Sequence, residues 1–396
     1  MKFNYKNWTK ASLLLAVVSL SAAAHGGETP APSAKEAAVV KVEKEESVFD
    51  RIWGLATIYK NKENPIIQEF KLRGRYQGQY HWLDSDQGGD DGWEDRRSRF
   101  GFDLKLFNQF DIRLDAQSSD GFDPFYNGLV DAYIKWRPSK EFNLTVGRQK
   151  PQIAYYDFLQ STNNQPTFER SQIFNQLRVD RFVGAVIDGK IGNFTYQVNG
   201  GNNQVDYEFG QLEGGWSYGA GIGYDFSKLL GVKKADWRFD WLHSDIDFAE
   251  DTVLNRYENI FTNTLWIQDG RFGFVAELFY AEGAVDLSYG DVFGFYIQPT
   301  FDIIPDRLQL VGRYSFSKGD GANSVVAQSR YERAAPQLTG SGRGETYIAG
   351  YLGIQYFIYG DKLKVLAGLE YASVDGGGNG GDYDGVTYLT GVRFSF

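Results

Sequence analysis

Between Phe70 and Trp82 the sequence alternates without a break. Phe70, Leu72, Gly74, Tyr76, Gly78, Tyr80 and Trp82 take one parity, and Lys71, Arg73, Arg75, Gln77, Gln79 and His81 take the other. Successive side chains of an extended chain point to opposite faces, so this run reads as one strand with an aromatic face and a cationic face. It is longer than the five or six residues usual in globular sheets. The pattern repeats: Phe100, Phe102, Leu104 and Leu106 oppose Arg97, Arg99, Asp103 and Lys105. Next, Phe110, Ile112, Leu114 and Ala116 oppose Asp111, Arg113, Asp115 and Gln117, and Val130, Ala132, Ile134 and Trp136 oppose Asp131, Tyr133, Lys135 and Arg137.

Twelve further segments of this kind begin near Phe142, Phe182, Phe194, Trp216, Trp237, Tyr257, Arg271, Val292, Leu308, Glu345, Leu363 and Val386. About sixteen strands is an even number, as a single-chain outer-membrane barrel requires. Connections alternate between tight (Asn108-Gln109, Asp269-Gly270) and long, Asp- and Gly-rich (Asp84 to Trp93, Gly200 to Gly215, Ser317 to Gly344, Asp375 to Gly385). Short periplasmic turns and long external loops have that rhythm. A soluble β-sandwich or β-helix also alternates, but its strands seldom reach ten residues, and nothing in it calls for Tyr388, Thr390, Val392, Phe394 and a terminal Phe396. The expected fold is all-β: a transmembrane antiparallel β-barrel of about 16 strands.

Composition agrees. Tyr, Phe and Trp number 25, 30 and 9 with 46 Gly and one Met, which does not suit a helical bundle. Lys2, Lys6 and Lys10 precede the apolar run Ala11 to Leu20 and the small residues Ala22-Ala23-Ala24, so residues 1–24 read as a secretory signal peptide. Its removal strips three positive charges from a chain already at −10, a balance unsuited to nucleic acid. The absence of cysteine excludes disulfides and thiolate metal sites, and no cofactor is called for. Residues 25–66 read as a periplasmic tether holding one short amphipathic helix, on the spacing of Phe49, Ile52, Trp53, Leu55, Ala56 and Ile58-Tyr59; the barrel occupies 67–396.

One connection departs from the scheme. After Gly147-Arg148-Gln149-Lys150-Pro151 the chain runs to Arg181 before strand character resumes at Phe182. So long a loop is functional or disordered, and Ile153, Tyr155, Tyr156, Phe158, Phe168, Ile173, Phe174 and Leu177 argue against disorder. A short helix is expected over Glu169 to Leu177, with Ile173, Phe174 and Leu177 on one side. Such a loop, about 150–181, can fold inward and narrow a wide barrel, lined by Lys150, Arg170, Arg178 and Arg181, while Arg73, Arg75, Arg97, Arg99 and Arg113 crowd the polar face of the first strands. Basic residues at a narrow, low-dielectric constriction draw anions. Pairing of those arginines with Asp103, Asp111, Asp115 and Asp131 on neighbouring strands is the competing reading.

Gly147-x-x-Lys150-Pro151, then Glu169-Arg170-Ser171, then Arg181-x-x-Gly184 resembles the pattern of the phosphate-selective porin O/P family. The resemblance extends through the signal peptide, the loop and the barrel rhythm. It implies a homotrimer of sixteen-stranded barrels in the outer membrane, embedded in lipid, whose lysines and arginines draw small anions such as phosphate to a constriction; Lys150, Arg170 and Arg181 are the carried-over positions.

The function expected is passive diffusion of small hydrophilic solutes, with anions favoured and no enzymatic activity. A general or sugar-preferring porin and a plugged structural or adhesive barrel are the alternatives. A barrel hydrolase would turn on His81 or His243, but no serine partner can be placed beside either. Asp84-x-Asp86-x-Gly88 with Asp90, Asp91, Glu94 and Asp95 has part of a Ca²⁺-loop spacing without flanking helices. Gly219 to Gly223 lies within an alternating run and is no phosphate cradle.

Overall fold

The structure, a computed structural model, describes residues 47–203, 208–209, 215–245, 257–283, 290–327, 343–375 and 382–396. The expected signal peptide, the tether as far as residue 46 and parts of the loops expected after Gly200, Ser317 and Asp375 lie outside them.

Sixteen antiparallel strands form a closed ring. They are β1 (Ile67–Ser85), β2 (Gly88–Leu106), β3 (Phe110–Ser118), β4 (Leu129–Trp136), β5 (Asn143–Gln149), β6 (Phe182–Ile191), β7 (Phe194–Asn202) and β8 (Trp216–Asp225). The second half comprises β9 (Lys234–Ser244), β10 (Tyr257–Asp269), β11 (Phe272–Gly283), β12 (Val292–Ile304), β13 (Leu308–Gly319), β14 (Thr346–Tyr359), β15 (Leu363–Asp375) and β16 (Tyr383–Ser395). Each strand pairs with its neighbour in sequence, and β16 returns to β1, with Gly385 opposite Ser85 and Ser395 opposite Arg75. Closure satisfies every ladder internally, the condition for strands to cross hydrocarbon.

The alternation read from the sequence is the inside and outside of this wall. Leu72, Trp82, Ile134, Val198, Ile222, Leu278 and Leu352 stand exposed on the outer face, the apolar band that lipid covers. Aromatic pairs mark both rims: Trp82 stacks on Tyr388 at 5.2 Å near the loop end, and Phe272 meets Phe301 at 4.8 Å near the turn end. Gly270 and Gly360 adopt φ of 52° and 53° in two of the tight turns, a region open to glycine without strain.

Two local expectations are corrected. Asp84 to Trp93 is not a long loop: β1 and β2 stay paired to Ser85 opposite Gly88, leaving Asp86-Gln87 as the turn. The acids of this stretch bond across the ladder, Tyr80 donating to Asp91 at 2.6 Å and His81 lying 3.0 Å from Asp90. Near the N-terminus, α1 (Val48–Gly54) is capped by Ser47 and Asp50, but Ile58 and Tyr59 do not extend it. They belong to a short strand, Thr57–Lys60, on β1, with Thr57 opposite Lys71 and Lys60 opposite Glu69. That stretch of β1 projects past the last pair that β16 makes, so its edge would carry unpaired amides and carbonyls. The helix docks beside it: Trp53 Nε1 donates to the Ser395 carbonyl at 2.6 Å, and Phe49 stacks on Tyr359 at 5.4 Å.

The β5–β6 connection, residues 150–181, lies inside the ring. Its polar atoms meet Gln79 on β1, Gln197 on β7, Glu277 on β11, Arg313 on β13 and Arg393 on β16, and only a segment within the lumen reaches all of these. Its helix α2 (Gln172–Leu177) starts three residues later than expected because the Ser171 hydroxyl accepts the Phe174 amide and sets the N-cap there. Ile153, Phe158, Ile173, Phe174 and Leu177 form a buried apolar cluster with inward-facing Ile260, Val275, Phe279, Val292 and Tyr296. The lumen face from β10 onward is thus partly apolar, which a purely polar interior would not be. Gly294 opens the wall for α2: a Cβ there would stand 2.8 Å from Ile173 Cγ1.

Candidate functional site

Beside the loop the lumen keeps a cavity of about 940 Å³. Strands β1 to β5 supply one side of it, β6 to β9 the other, and loop residues the third. Thirteen lysines and arginines line the cavity against five aspartates, in a chain whose net charge is −10. The charge of the cavity lining is therefore opposite in sign to that of the whole chain.

Seven of the nine candidate residues border this cavity: Arg73, Arg75, Arg99, Arg113, Lys150, Arg170 and Arg181. They divide by partner. Arg73 bridges Asp103 and Asp115 at 2.9 Å each, and Arg113 holds Asp103 at 2.8 Å. Arg181 joins Asp131 and Asp180 at 3.1 Å. Arg75, by contrast, donates to Ser161 and Thr162 hydroxyls at 3.1 and 3.2 Å. The Nε of Arg99 has no hydrogen-bond partner among the described residues. Lys150 donates to the carbonyls of Phe158 and, at 3.4 Å, Gln160, and stands over the Phe158 ring. Burial, with Arg170 and Arg181 nearby, pushes its ammonium well below the usual lysine range. Burial likewise brings the Arg170 guanidinium down to about 10. Arg170 donates to the Asp157 carbonyl at 2.9 Å. Glu169 takes a two-pronged bond from Arg96, at 2.6 and 2.9 Å.

The other two candidates lie elsewhere. Arg97 sits behind the cavity, bonded to Gln77 at 3.0 Å with Glu169 at 3.7 Å. Arg178 is the exposed residue that ends α2, with φ of 54°. His81 faces inward beside Asp90, and His243 faces the outside beside Asn259. No group of three or more metal-ligating side chains occurs among the described residues.

Several residues at the site escaped the sequence reading. Glu277 on β11 accepts the amides of Tyr156 and Asp157 at 2.8 and 2.9 Å and the hydroxyls of Thr264 and Tyr296 at 2.6 and 2.7 Å. It pins the first third of the loop to the wall. Arg313, Lys364 and Arg393 hold the second third. The available signal was on β11 itself, where Phe274 to Ala281 is apolar on both parities except Glu277, as a strand with lipid on one side and protein on the other must be.

Residues 70–218 match the family model described as phosphate-selective porin O and P. The matched stretch, a little over a third of the chain, is similar to that family. It contains all three motifs of the loop and runs from β1 into β8. Comparison with curated protein sequences gives no match. Among solved structures, OmpT of Vibrio cholerae is similar at 12% identity, covering 85% of this chain and 100% of that one with a TM-score of 0.55. OmpF of Salmonella typhi, solved with daunomycin, is similar at 12% identity, 86% and 100% coverage and 0.58. The outer membrane channel DcaP of Acinetobacter baumannii gives 12%, 86%, 100% and 0.52. At these identities the likeness is one of fold. Family and fold together make this chain a Gram-negative outer-membrane channel for small solutes.

Proposed function

We propose that the channel favours small anions, phosphate among them, and passes them by diffusion. The observation that carries this is the cavity's charge: thirteen cations to five aspartates in a chain that is acidic overall. Arg75, Arg99 and Lys150 supply cations with no carboxylate in ion-pair distance among the described residues; Asp115 and Asp131 act on them from farther off, and the cations outnumber these acids. Paired arginines such as Arg73 and Arg113 form the sides of the path and set its width. Each cationic position is shallow, so an anion that enters is free to move on. The family description, with its phosphate selectivity, points the same way. Lys150, Arg170 and Arg181 act at the constriction in this reading, and the barrels assemble as homotrimers, as the family resemblance implies.

Reconstitution in a planar bilayer tests it. In a KCl gradient the reversal potential should lie on the anion side, and exchange of chloride for phosphate should leave a measurable current. A cation-side potential would overturn the anion preference; absence of conductance would favour a plugged barrel. Native mass spectrometry in mild detergents should show a trimer, and a monomer throughout would overturn that part.

A further inference from the structure

We infer that Arg393 is a positioning residue for permeation: it gathers carbonyls of the constriction loop against the β16–β1 seam, so that the strip from Thr162 to Glu169 turns side-chain hydroxyls and amides, not carbonyl oxygens, toward the cavity. This deepens the anion reading and rests on it.

Arg393 is 2% exposed and has no carboxylate within ion-pair distance among the described residues. A guanidinium so buried is normally held by an acid. Here four backbone carbonyls take that place. Nη1 donates to Thr162 at 2.8 Å and Gln165 at 2.6 Å, and Nη2 donates to Thr167 at 2.6 Å and Phe168 at 3.0 Å. Two neighbours extend the set. Lys364 donates to Gln165 at 3.4 Å, and Arg313 donates to Glu169 at 2.8 Å. Unlike Arg393, these two also hold acids, Asp361 and Glu370. The five carbonyls, from Thr162 to Glu169, therefore point to the wall.

The other side of the same strip faces the cavity. Ser161, Thr162 and Asn163 line it, and Arg75 on β1 bonds the two hydroxyls. Gln77, the ladder partner of Arg393, takes the Asn163 side chain at 2.7 Å. Arg75 and Arg393 thus grip opposite sides of one strip at adjacent strands. A carbonyl oxygen carries partial negative charge, and several turned toward the water would oppose a passing anion, as filters built of carbonyls favour cations. Arg393 keeps them turned away without touching the solute.

The test uses full-length channels carrying Arg393→Met, Arg393→Gln or Arg393→Lys. Heat-modifiable gel migration verifies closure of the barrel. Two readouts follow: the anion-to-cation permeability ratio, and the rate at which an anionic thiol reagent labels Asn164→Cys, an exposed loop position in a chain with no native cysteine. Arg393→Met should lower the ratio by about threefold and change the labelling rate, with Arg393→Lys restoring most of both. Should Arg393→Met not close, Arg393→Gln decides by the same readouts. Wild-type ratio and wild-type labelling in any closed variant lacking the charge would overturn the proposal. A wild-type channel without anion preference, combined with altered labelling, would overturn the anion reading and leave the positioning role supported.

Discussion

Arg99 and Arg393 are the same residue type on the inner face of the same sheet, and their surroundings have nothing in common. Arg99 lines the cavity, with its Nε buried and unpartnered among the described residues. Arg393 is enclosed by loop carbonyls. The difference belongs to the walls rather than to the arginines. From β1 to β9 the inner face borders the cavity and carries charge, with Arg75, Gln77 and Gln79 on β1 also touching the loop; from β10 to β16 it mostly meets the folded-in loop and carries Val275, Phe279, Tyr296 and a few cations aimed at backbone. A lumen of this kind has a conducting arc and a load of protein opposite, and residue identity alone does not say on which a position falls.

The comparison breaks if the two arcs respond alike to substitution. The largest effect is expected from Phe279→Ala on the covered arc. It removes a ring buried among loop residues, which lowers stability by about 3–5 kcal/mol, read as a lower temperature of gel-mobility shift with the permeability ratio unchanged. A changed ratio at full stability would erase the division. Second is Lys150→Glu, which should cut the anion-to-cation ratio by about tenfold, whereas Lys228→Glu on the exposed turn-end helix Ser227–Leu230 leaves it alone. Part of the Lys150 effect should fade in concentrated salt, where the screening length falls from about 10 Å at 0.1 M to about 3 Å at 1 M. Equal ratios in correctly assembled channels would leave Lys150 as scaffold.

Third is pH. The Lys150 ammonium is held below its usual range, so it loses its proton as pH rises, ahead of an ordinary lysine. Anion preference should fall by about twofold as pH rises toward the ordinary lysine value of about 10.4, and Lys150→Arg should flatten the curve. A flat wild-type curve would show that Lys150 carries no part of the selectivity. The smallest effect is expected from Trp53→Ala, outside both arcs. It removes the bond to Ser395 and the contacts with Tyr359 and Phe394, lowering stability by about 1–2 kcal/mol with conductance unaltered. A conductance change would place α1 in the path.

How much of this was legible follows from range. The sixteen strands and the outward face were readable because alternation is local: each residue's side of the wall is set by its immediate neighbours. The 150–181 loop was readable as an exception to that rhythm. Arg393 was not, since between Val392 and Phe394 it looks like any lumen-facing cation, and its partners lie more than two hundred residues earlier. Ile58 and Tyr59 were misplaced for the same reason: their spacing suits a helix, and only the bare edge of β1 makes them a strand. Asp90 and Asp91 suited a long external loop until Tyr80 and His81 stood opposite.

The seam where β16 meets β1 has a consequence in polymer terms. Ser395 pairs with Arg75, so joining them closes a ring of nearly the whole chain, and the configurational entropy lost is about 5 kcal/mol, growing only logarithmically with length. An eleven-pair ladder offsets that, and Thr57–Lys60 continues it along the remaining edge of β1. Because Arg75, Gln77 and Arg393 grip the loop across this seam, the loop takes its final place in the lumen only when the two ends of the barrel have found each other. An unclosed barrel therefore leaves this part of the loop without its wall, and any selectivity the loop confers would arrive together with closure rather than before it.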